Sequence, residues 1–343
     1  MALKRRDFLL ALPLSVGGAL GCASSAQGPA RAAAYQELFA SKSGGASKKT
    51  ILVCMPETTQ TREVWTGLSD ELSQEFGLIA VRVDGRQAAP VIAEAMRRHR
   101  PAGIVLMNNP TVAAYRDYQR QNVGIAFPPA VIVMTSFLER QPVQVVAATG
   151  ISYEVPLITV VTNLRKLVSS SVERVGVVLR APLAGFVERQ AALASREQIH
   201  VSEELVSAVP NASEIKRAIR RVKQRADAIW VLNDDRLLTP RLIADAWLPS
   251  LNDRPFRPTI VGAGSLVSPA QSFGTFAVLP DHTALGVQAA ALLFDIAGND
   301  WTVPEDSDVQ APLSTTTTVD LVQVRERFSL QQNALAQVDR ILE

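Results

Sequence analysis

Three histidines (His99, His200 and His282) and two cysteines (Cys22 and Cys54) are all the imidazole and thiol groups in this 343-residue chain, and no two share a local motif. No zinc constellation can be written from residues so scattered. Cys54 lies inside the apolar run Ile51 to Met55 with no histidine near it in sequence. It reads as a small buried hydrophobe, because a nucleophilic thiol needs a base or a positive field. The chain has no Gly-x-Ser-x-Gly elbow, and neither Ser152 nor Ser265 has an assignable base. Asp234 and Asp235 are adjacent on one loop and cannot flank a scissile bond at a set separation. The stretch Val261-Gly262-Ala263-Gly264-Ser265-Leu266-Val267 starts like a dinucleotide fingerprint, but Val267 occupies the third glycine position and Pro269 interrupts the helix that should follow. Neither catalysis nor a cofactor or metal is implied.

What the chain does offer is a set of hydrogen-bonding residues just beyond the ends of apolar runs. They are Glu57, Thr58 and Thr59; Asn108 and Asn109; Thr135 and Ser136; Ser152 and Tyr153; Arg180; Asn233, Asp234 and Asp235; and Gly264 and Ser265. Mostly neutral groups of this kind fix the orientation of a small polar molecule. Arg180 has the planar fork that clamps a carboxylate, Asp234 suits an ammonium, and Tyr153 offers a ring to stack on. Together they fit an amino acid or a similar zwitterion. The competing reading is structural: Asn109-Pro110, Thr61 and Thr239-Pro240 are helix-start signals, and at least half of these polar residues are expected to be caps or turn formers. Arg180 is then a surface arginine, Asp234 a turn aspartate and Tyr153 a packing residue at a hinge.

These residues need a scaffold, and from Thr50 onward short β-branched runs alternate with longer amphipathic segments, the pattern of parallel sheets covered by helices. Strands are expected at Ile51 to Met55, Leu78 to Val83, Gly103 to Met107, Ala130 to Met134 and Val143 to Ala147. A second set covers Arg174 to Leu179, His200 to Leu205, Ala228 to Leu232, Pro258 to Val261 and Gly274 to Val278. Helices fill the gaps at Thr61 to Phe76, Gln87 to His99, Thr111 to Gln121, Gly185 to Glu197, Ala212 to Arg225 and Pro240 to Ala246. The fold class is therefore α/β, with two doubly wound Rossmann-like lobes of about 120 to 150 residues each. The N-terminal lobe is assigned to 50–149, completed by 281–300, and the C-terminal lobe to 150–280, completed by 310–330; 331–343 is a tail or helix. Thr149 to Pro156 is the junction. The helix Asp281 to Ala297 and the strand-like Thr315 to Val324 cross back between lobes and make a multi-strand hinge. Ligands of open parallel sheets bind outside the carboxyl ends of the strands, where the polar residues above are found.

The N-terminus has a separate purpose. Lys4, Arg5 and Arg6 precede an apolar stretch from Phe8 to Ala19, broken by Pro13, Gly17 and Gly18, as in a cleaved export signal. Arg5-Arg6-Asp7-Phe8-Leu9 resembles a twin-arginine signal, and Ala19-Leu20-Gly21-Cys22 resembles a lipobox in which Cys22 receives a lipid. Residues 1–22 are thus an export signal, and 23–49, rich in Ala, Ser, Gly and Lys, are a flexible tether. Ala23 after the cysteine favours the outer-membrane leaflet on the periplasmic side; without lipidation the protein would be free in the periplasm. A net charge of +2 with 47% hydrophobic and 20% charged residues describes a globular body and gives no sign of a nucleic-acid partner. The one basic cluster, Lys216 to Arg225, is interleaved with Ala218, Ile219 and Val222 and reads as the solvated face of an amphipathic helix.

Several stretches together resemble the substrate-binding proteins of ABC transporters related to tryptophan and tyrosine uptake. They are Gly150-Ile151-Ser152-Tyr153-Glu154-Val155-Pro156, Arg174-Val175-Gly176-Val177-Val178, Asp227-Ala228-Ile229-Trp230-Val231-Leu232, Leu285-Gly286-Val287-Gln288-Ala289-Ala290 and the segment Thr317 to Ser329. The resemblance covers roughly Thr50 to Leu330. It implies a type I periplasmic-binding-protein fold, a monomer that closes two lobes on a small-molecule ligand, and an ABC permease as partner. The chain departs from the family at Met55-Pro56-Glu57-Thr58-Thr59-Gln60, where a more Gly-rich and aromatic loop is usual. Two other classes stay open: a sensing or scaffolding lipoprotein that uses the fold to regulate a protein partner, and an exported cofactor-dependent enzyme.

Overall fold

Runs of aliphatic residues without polar interruption are strands covered on both faces. In the computed structural model, which describes residues 35–40, 48–84, 88–138, 145–305 and 307–343, these runs build two sheets. The first contains β1 (Glu37–Ala40), β2 (Thr50–Met55), β3 (Gly77–Arg82), β4 (Gly103–Met107), β5 (Ala130–Thr135) and β6 (Ala148–Ser152), in the order β1-β3-β2-β4-β5-β6. Helices α1 (Thr59–Leu72), α2 (Ala88–His99) and α3 (Asn109–Gln121) make its crossovers. After α4 (Leu157–Leu167) comes the second sheet, made of β7 (Arg174–Arg180), β8 (His200–Val206), β9 (Ala228–Val231), β10 (Thr259–Val261), β11 (Phe276–Pro280), β12 (Thr315–Asp320) and β13 (Arg340–Leu342). Its order is β13-β12-β11-β10-β9-β7-β8. The intervening helices are α5 (Ala184–Ala194), α6 (Ala212–Arg225), and α7 (Pro240–Leu242), which runs through a π-helical stretch, Ile243–Trp247, into α8 (Leu248–Leu251). Finally α9 (His282–Gly298) precedes β12, and α10 (Leu321–Arg327) follows it.

The parallel cores of the two sheets have one topology. In each, the second strand flanks the first, and the third, fourth and fifth follow on the other side. The order reverses between β2 and β4 and between β7 and β9, the switch points where doubly wound sheets open a crevice. Period-two alternation sends Ile51, Val53 and Met55 towards α1 and α9, and Leu52 and Cys54 towards α2 and α3. In the second sheet Val177 and Trp230 face α4 and α5, whereas Val178 and Ile229 face α6. Burial pushes the Cys54 thiol well above its ordinary pKa, as befits a packing residue.

Helix α9 follows the second sheet's β11 in the chain yet packs on the first sheet. Leu285, Leu292, Leu293 and Ile296 join the same apolar layer as Val64 and Leu68 of α1. The two helices approach through glycine: a Cβ on Gly67 would lie 2.0 Å from the Thr283 carbonyl oxygen, and one on Gly286 2.1 Å from that of Val64. The chain therefore passes between lobes three times, after β6, before α9 and before β12. The last passage is tied to the first, because Ser152 N–H donates to Gln310 O at 2.8 Å and Gln310 N–H to Gly150 O at 3.0 Å. The result is two α/β lobes on a multi-strand hinge.

The structure departs from the sequence expectations in four places. Residues 37–40, assigned to the tether, are an edge strand antiparallel to β3, held because Phe39 stacks on Trp65 at 5.4 Å. The strand placed at Val143 to Ala147 starts instead at Ala148, after Ala147 turns the chain at φ 55°. The strand expected to reach Val324 stops at Asp320, whose buried carboxylate caps α10 by accepting from Gln323 N–H at 3.0 Å. The tail at 331–343 ends in β13, parallel to β12, where Asp339 accepts from the Thr317 N–H and hydroxyl. Arg5, Arg6 and Cys22 lie outside the described residues.

Gly67→Ala and Gly286→Ala should each destabilise the protein by about 1–3 kcal/mol, the usual range for overpacking. Gly298→Ala, where an added Cβ meets nothing within 4 Å, should be neutral or stabilising by up to about 1 kcal/mol. Equilibrium urea unfolding of the three variants checks the contrast.

Candidate functional site

The carboxyl ends of the two sheets meet across the hinge, and a cavity lies there. One wall is Phe137, Tyr153 and Glu154, from the loop after β5 and the first crossing; the facing wall includes Trp230, Asn233 and Gly262, at the ends of β9 and β10. Val155, Val160, Leu232, Ile260 and Val278 make the remaining lining largely apolar. Only ≈ 30 Å³ is open to the centre of a water molecule. That holds one or two waters, whereas a small-molecule site usually encloses about 300 Å³ or more.

Phe137 explains the small size. Its backbone is left-handed at φ 54°, and its N–H donates to Glu154 Oε2 at 2.9 Å. Its ring meets Phe186 edge to face at 5.2 Å, and Phe186 lies 6.0 Å from Trp230. A side chain from the first lobe's loop thus completes the apolar layer of the second lobe. Glu154 also engages Ser152, accepting from its hydroxyl at 3.3 Å, while the Ser152 hydroxyl accepts from Glu154 N–H at 3.2 Å.

Tyr153 is held by a second network that the sequence did not reveal. Its hydroxyl lies 3.0 Å from His282 Nε2, and His282 Nδ1 lies 2.9 Å from Glu63 Oε2. The phenol and imidazole are nearly parallel, 9° apart. Burial raises the Tyr153 pKa to about 12, with Glu154 and Glu63 adding to it, so the phenol keeps its proton at neutral pH and can donate a hydrogen bond. Tyr153 is on the first crossing and His282 opens α9, so the network links two crossings to α1.

Of the residues expected at the site, Tyr153 and Asn233 line this cavity. Asn233 Nδ2 donates to Gly262 O at 2.8 Å, and a Cβ on Gly262 would lie 2.7 Å from that amide, so the bond needs a glycine there. Thr58 caps α1 in a reciprocal capping box with Thr61, and Thr59 is exposed in the first turn. Glu57 pairs with Arg62 at 2.5 Å and Arg82 at 3.5 Å. Asn108 caps α3, accepting from Thr111 N–H at 3.0 Å, and Asn109 accepts from Ser136 N–H at 2.8 Å, tying the loops after β4 and β5. Thr135 is buried, and its hydroxyl donates to Val133 O at 3.4 Å. Gly264 and Ser265 form a 3-10 turn, and Asp235 is exposed.

Arg180 and Asp234 form a bidentate pair with each other. Nε and one terminal nitrogen donate to the two carboxylate oxygens at 2.7 Å each, across the β7/β9 switch point. Asp234 also accepts from Arg236 N–H at 2.9 Å, and its side chain is 1% exposed. The carboxylate accounts for the raised Arg180 pKa. Each is already the other's partner. The residues that sequence reasoning passed over are Phe137, Glu154, Trp230, His282 and Glu63; a loop aromatic directly after Thr135-Ser136 was the one available signal.

Removing one member of the switch-point pair strands a buried charge. Arg180→Met should cost about 3 kcal/mol, whereas Arg180→Met with Asp234→Leu should recover most of that loss. A double-mutant cycle by denaturant unfolding measures the recovery.

Among the described residues, no three His, Cys, Asp or Glu side chains are placed to hold a metal ion, and no helix is long and apolar enough to cross a membrane. No family model and no curated protein matches the chain. Solved structures do. A ligand-free, open substrate-binding protein with adhesive properties from Clostridium difficile superposes with TM-score 0.60 at 14% identity, covering 86% of this chain and 99% of its own. The ABC domain in complex with L-Trp from Streptococcus pneumonia gives 0.52 at 16% identity, covering 86% and 100%. A conserved domain protein from Vibrio cholerae gives 0.52 at 17%, with the same coverage of each chain. Together with the two lobes of common topology, these likenesses establish that the chain has the type I periplasmic-binding-protein fold.

Proposed function

We propose that the protein is an exported, lipid-anchored solute-binding protein of an ABC-type uptake system, which captures a small ligand by closing its lobes and catalyses no reaction. The observation that carries this is the cavity between the carboxyl ends of two matched sheets, spanned by three chain crossings that let the lobes rotate without separating. The rings of Tyr153 and Trp230 beside the polar groups of Glu154 and Asn233 suit a compact ligand with a flat or apolar body and a polar end, such as an amino acid. L-Trp, held by the Streptococcus neighbour, has that make-up. With the lobes apart, Phe137 leaves the second lobe and its place is open to the ligand. Arg180 and Asp234, paired at the switch point, contribute by holding the β7 and β9 loops in position. A permease reads the closed form, Cys22 carries the lipid, and the moving bodies are the lobe built on β1 to β6 with α9 and the lobe built on β7 to β13.

A second reading has one observation in its favour. A cleft with ≈ 30 Å³ of open space also suits a scaffolding or sensing lipoprotein that touches a protein partner and holds no ligand.

Thermal unfolding against amino acids and small organic acids separates the two. A true ligand at 100 times its Kd should add about 2.7 kcal/mol of stability. Phe137→Ala should bind that ligand more tightly, because the competing closed-on-itself state is weakened. No stabilisation by any compound, together with recovery of a specific partner protein, decides for the second reading. For export, replacing Arg5 and Arg6 with lysines should leave the precursor in the cytoplasm; continued export in a strain without twin-arginine translocation rejects that route.

A further inference from the structure

The C-terminal lobe has a second recess, far larger than the cleft. It has ≈ 460 Å³ open to water centres and is lined by Lys216, Arg220, Lys223 and Gln224 of α6, by Pro249 and Ser250 of α8 and by residues 253–255 of the connection that follows α8. The last turns of α6 and this connection precede the start of β9 and β10, so the recess is at the amino ends of the strands, opposite the cleft.

Its floor is built from a buried cation. The Lys223 ammonium donates to the carbonyls of Ser250, at 2.8 Å, and Asp253, which fixes the connection against α6. Arg257 Nε donates to Lys223 O at 3.3 Å. Burial lowers the Lys223 pKa, Asp253 opposes the shift, and Arg257 and Arg327 add to it, which marks a locally positive field.

The rim carries more positive than negative charge. Arg221 and Arg225, on the neighbouring flank of α6, share Glu204. Lys216, Arg220 and Arg254 have no carboxylate partner among the described residues. Lys216 and Arg220 are one helical turn apart, and Arg254 comes from another segment, with its guanidinium 5.3 Å from the Phe256 ring centre. The dipole at the end of α6 favours cations near Arg225, but accounts for neither Lys216, in the first half of the helix, nor Arg254. The one carboxylate at the recess, Asp253, accepts from the Arg254 N–H at 2.9 Å. Lys216, Arg220 and Arg254 line one recess against a single carboxylate, and this excess of positive charge suits a phosphate group, to which a guanidinium donates two parallel hydrogen bonds.

We propose that this recess is a phosphate-binding site, with Lys216, Arg220 and Arg254 as the groups that hold the anion. The phosphate belongs either to a soluble compound or to the headgroup of an anionic phospholipid. Calorimetric titration of the full chain with pyrophosphate at low ionic strength tests the first source. Binding to phosphatidylcholine vesicles with and without phosphatidylglycerol tests the second, read as the difference between parent and variant carrying the same N-terminus. Arg220→Ser/Arg254→Ser should weaken binding at least about tenfold, and Asp253→Asn should tighten it. Lys216→Gln/Arg220→Gln confines the change to two exposed α6 positions and should weaken binding in the same way, so a folding defect at Arg254 cannot decide the outcome. Pyrophosphate binding lost in both double variants supports a soluble ligand, and loss of the phosphatidylglycerol-dependent vesicle signal alone supports a membrane one. Absence of both signals, or signals that survive both double variants, overturns the site.

Discussion

The contact between α1 and α9 is the constraint on which the architecture depends. Gly67 and Gly286 let each helix press its surface onto the other's backbone, and α9 thereby joins the first sheet although it follows the last parallel strand of the second. Once α9 is fixed there, the chain must leave the second lobe before it and return after it, so three crossings follow from one packing choice. The three connections, the last of them tied to the first through Gln310, restrict the lobes to hinge motion, and the first two bring Tyr153 and His282 within hydrogen-bonding distance.

The same economy governs polar groups at the strand ends. Thr58 and Asn108 cap helices, Asn109 ties two loops, and Arg180 and Asp234 satisfy each other. A low-dielectric cleft penalises unpaired hydrogen-bonding groups. The lobes in this arrangement therefore offer few free donors or acceptors, and the aromatic lining carries the character of the cavity.

Much of the fold was legible in the sequence, because buried parallel strands and amphipathic helices have strong periodic signatures. Helix α6 is the clearest case: Ile215, Ala218, Ile219 and Val222 recur with helical spacing and mark its core-facing side. Short edge elements were not legible. The four residues of β1 and the three of β13 are too few to show a period, and each is held by contacts distant in sequence, such as Phe39 on Trp65. The candidate site was only partly readable for the same reason. Strand ends could be located, but pairing of Arg180 with Asp234 or Tyr153 with His282 depends on residues 54 and 129 positions apart. A polar residue after a strand looks the same in sequence whether it awaits a ligand or already has a partner.

The return of α9 to the first sheet also orders events during synthesis. Strands β2 to β6 can pair once they have emerged, but one face of that sheet lacks its Leu285, Leu292, Leu293 and Ile296 cover until nearly three hundred residues have been made. Over that interval an apolar layer waits for a distant segment, and contacts of such sequence separation form slowly. The first lobe, although earlier on the ribosome, is completed late, so the two halves should reach the native state as one cooperative unit and not in the order of translation.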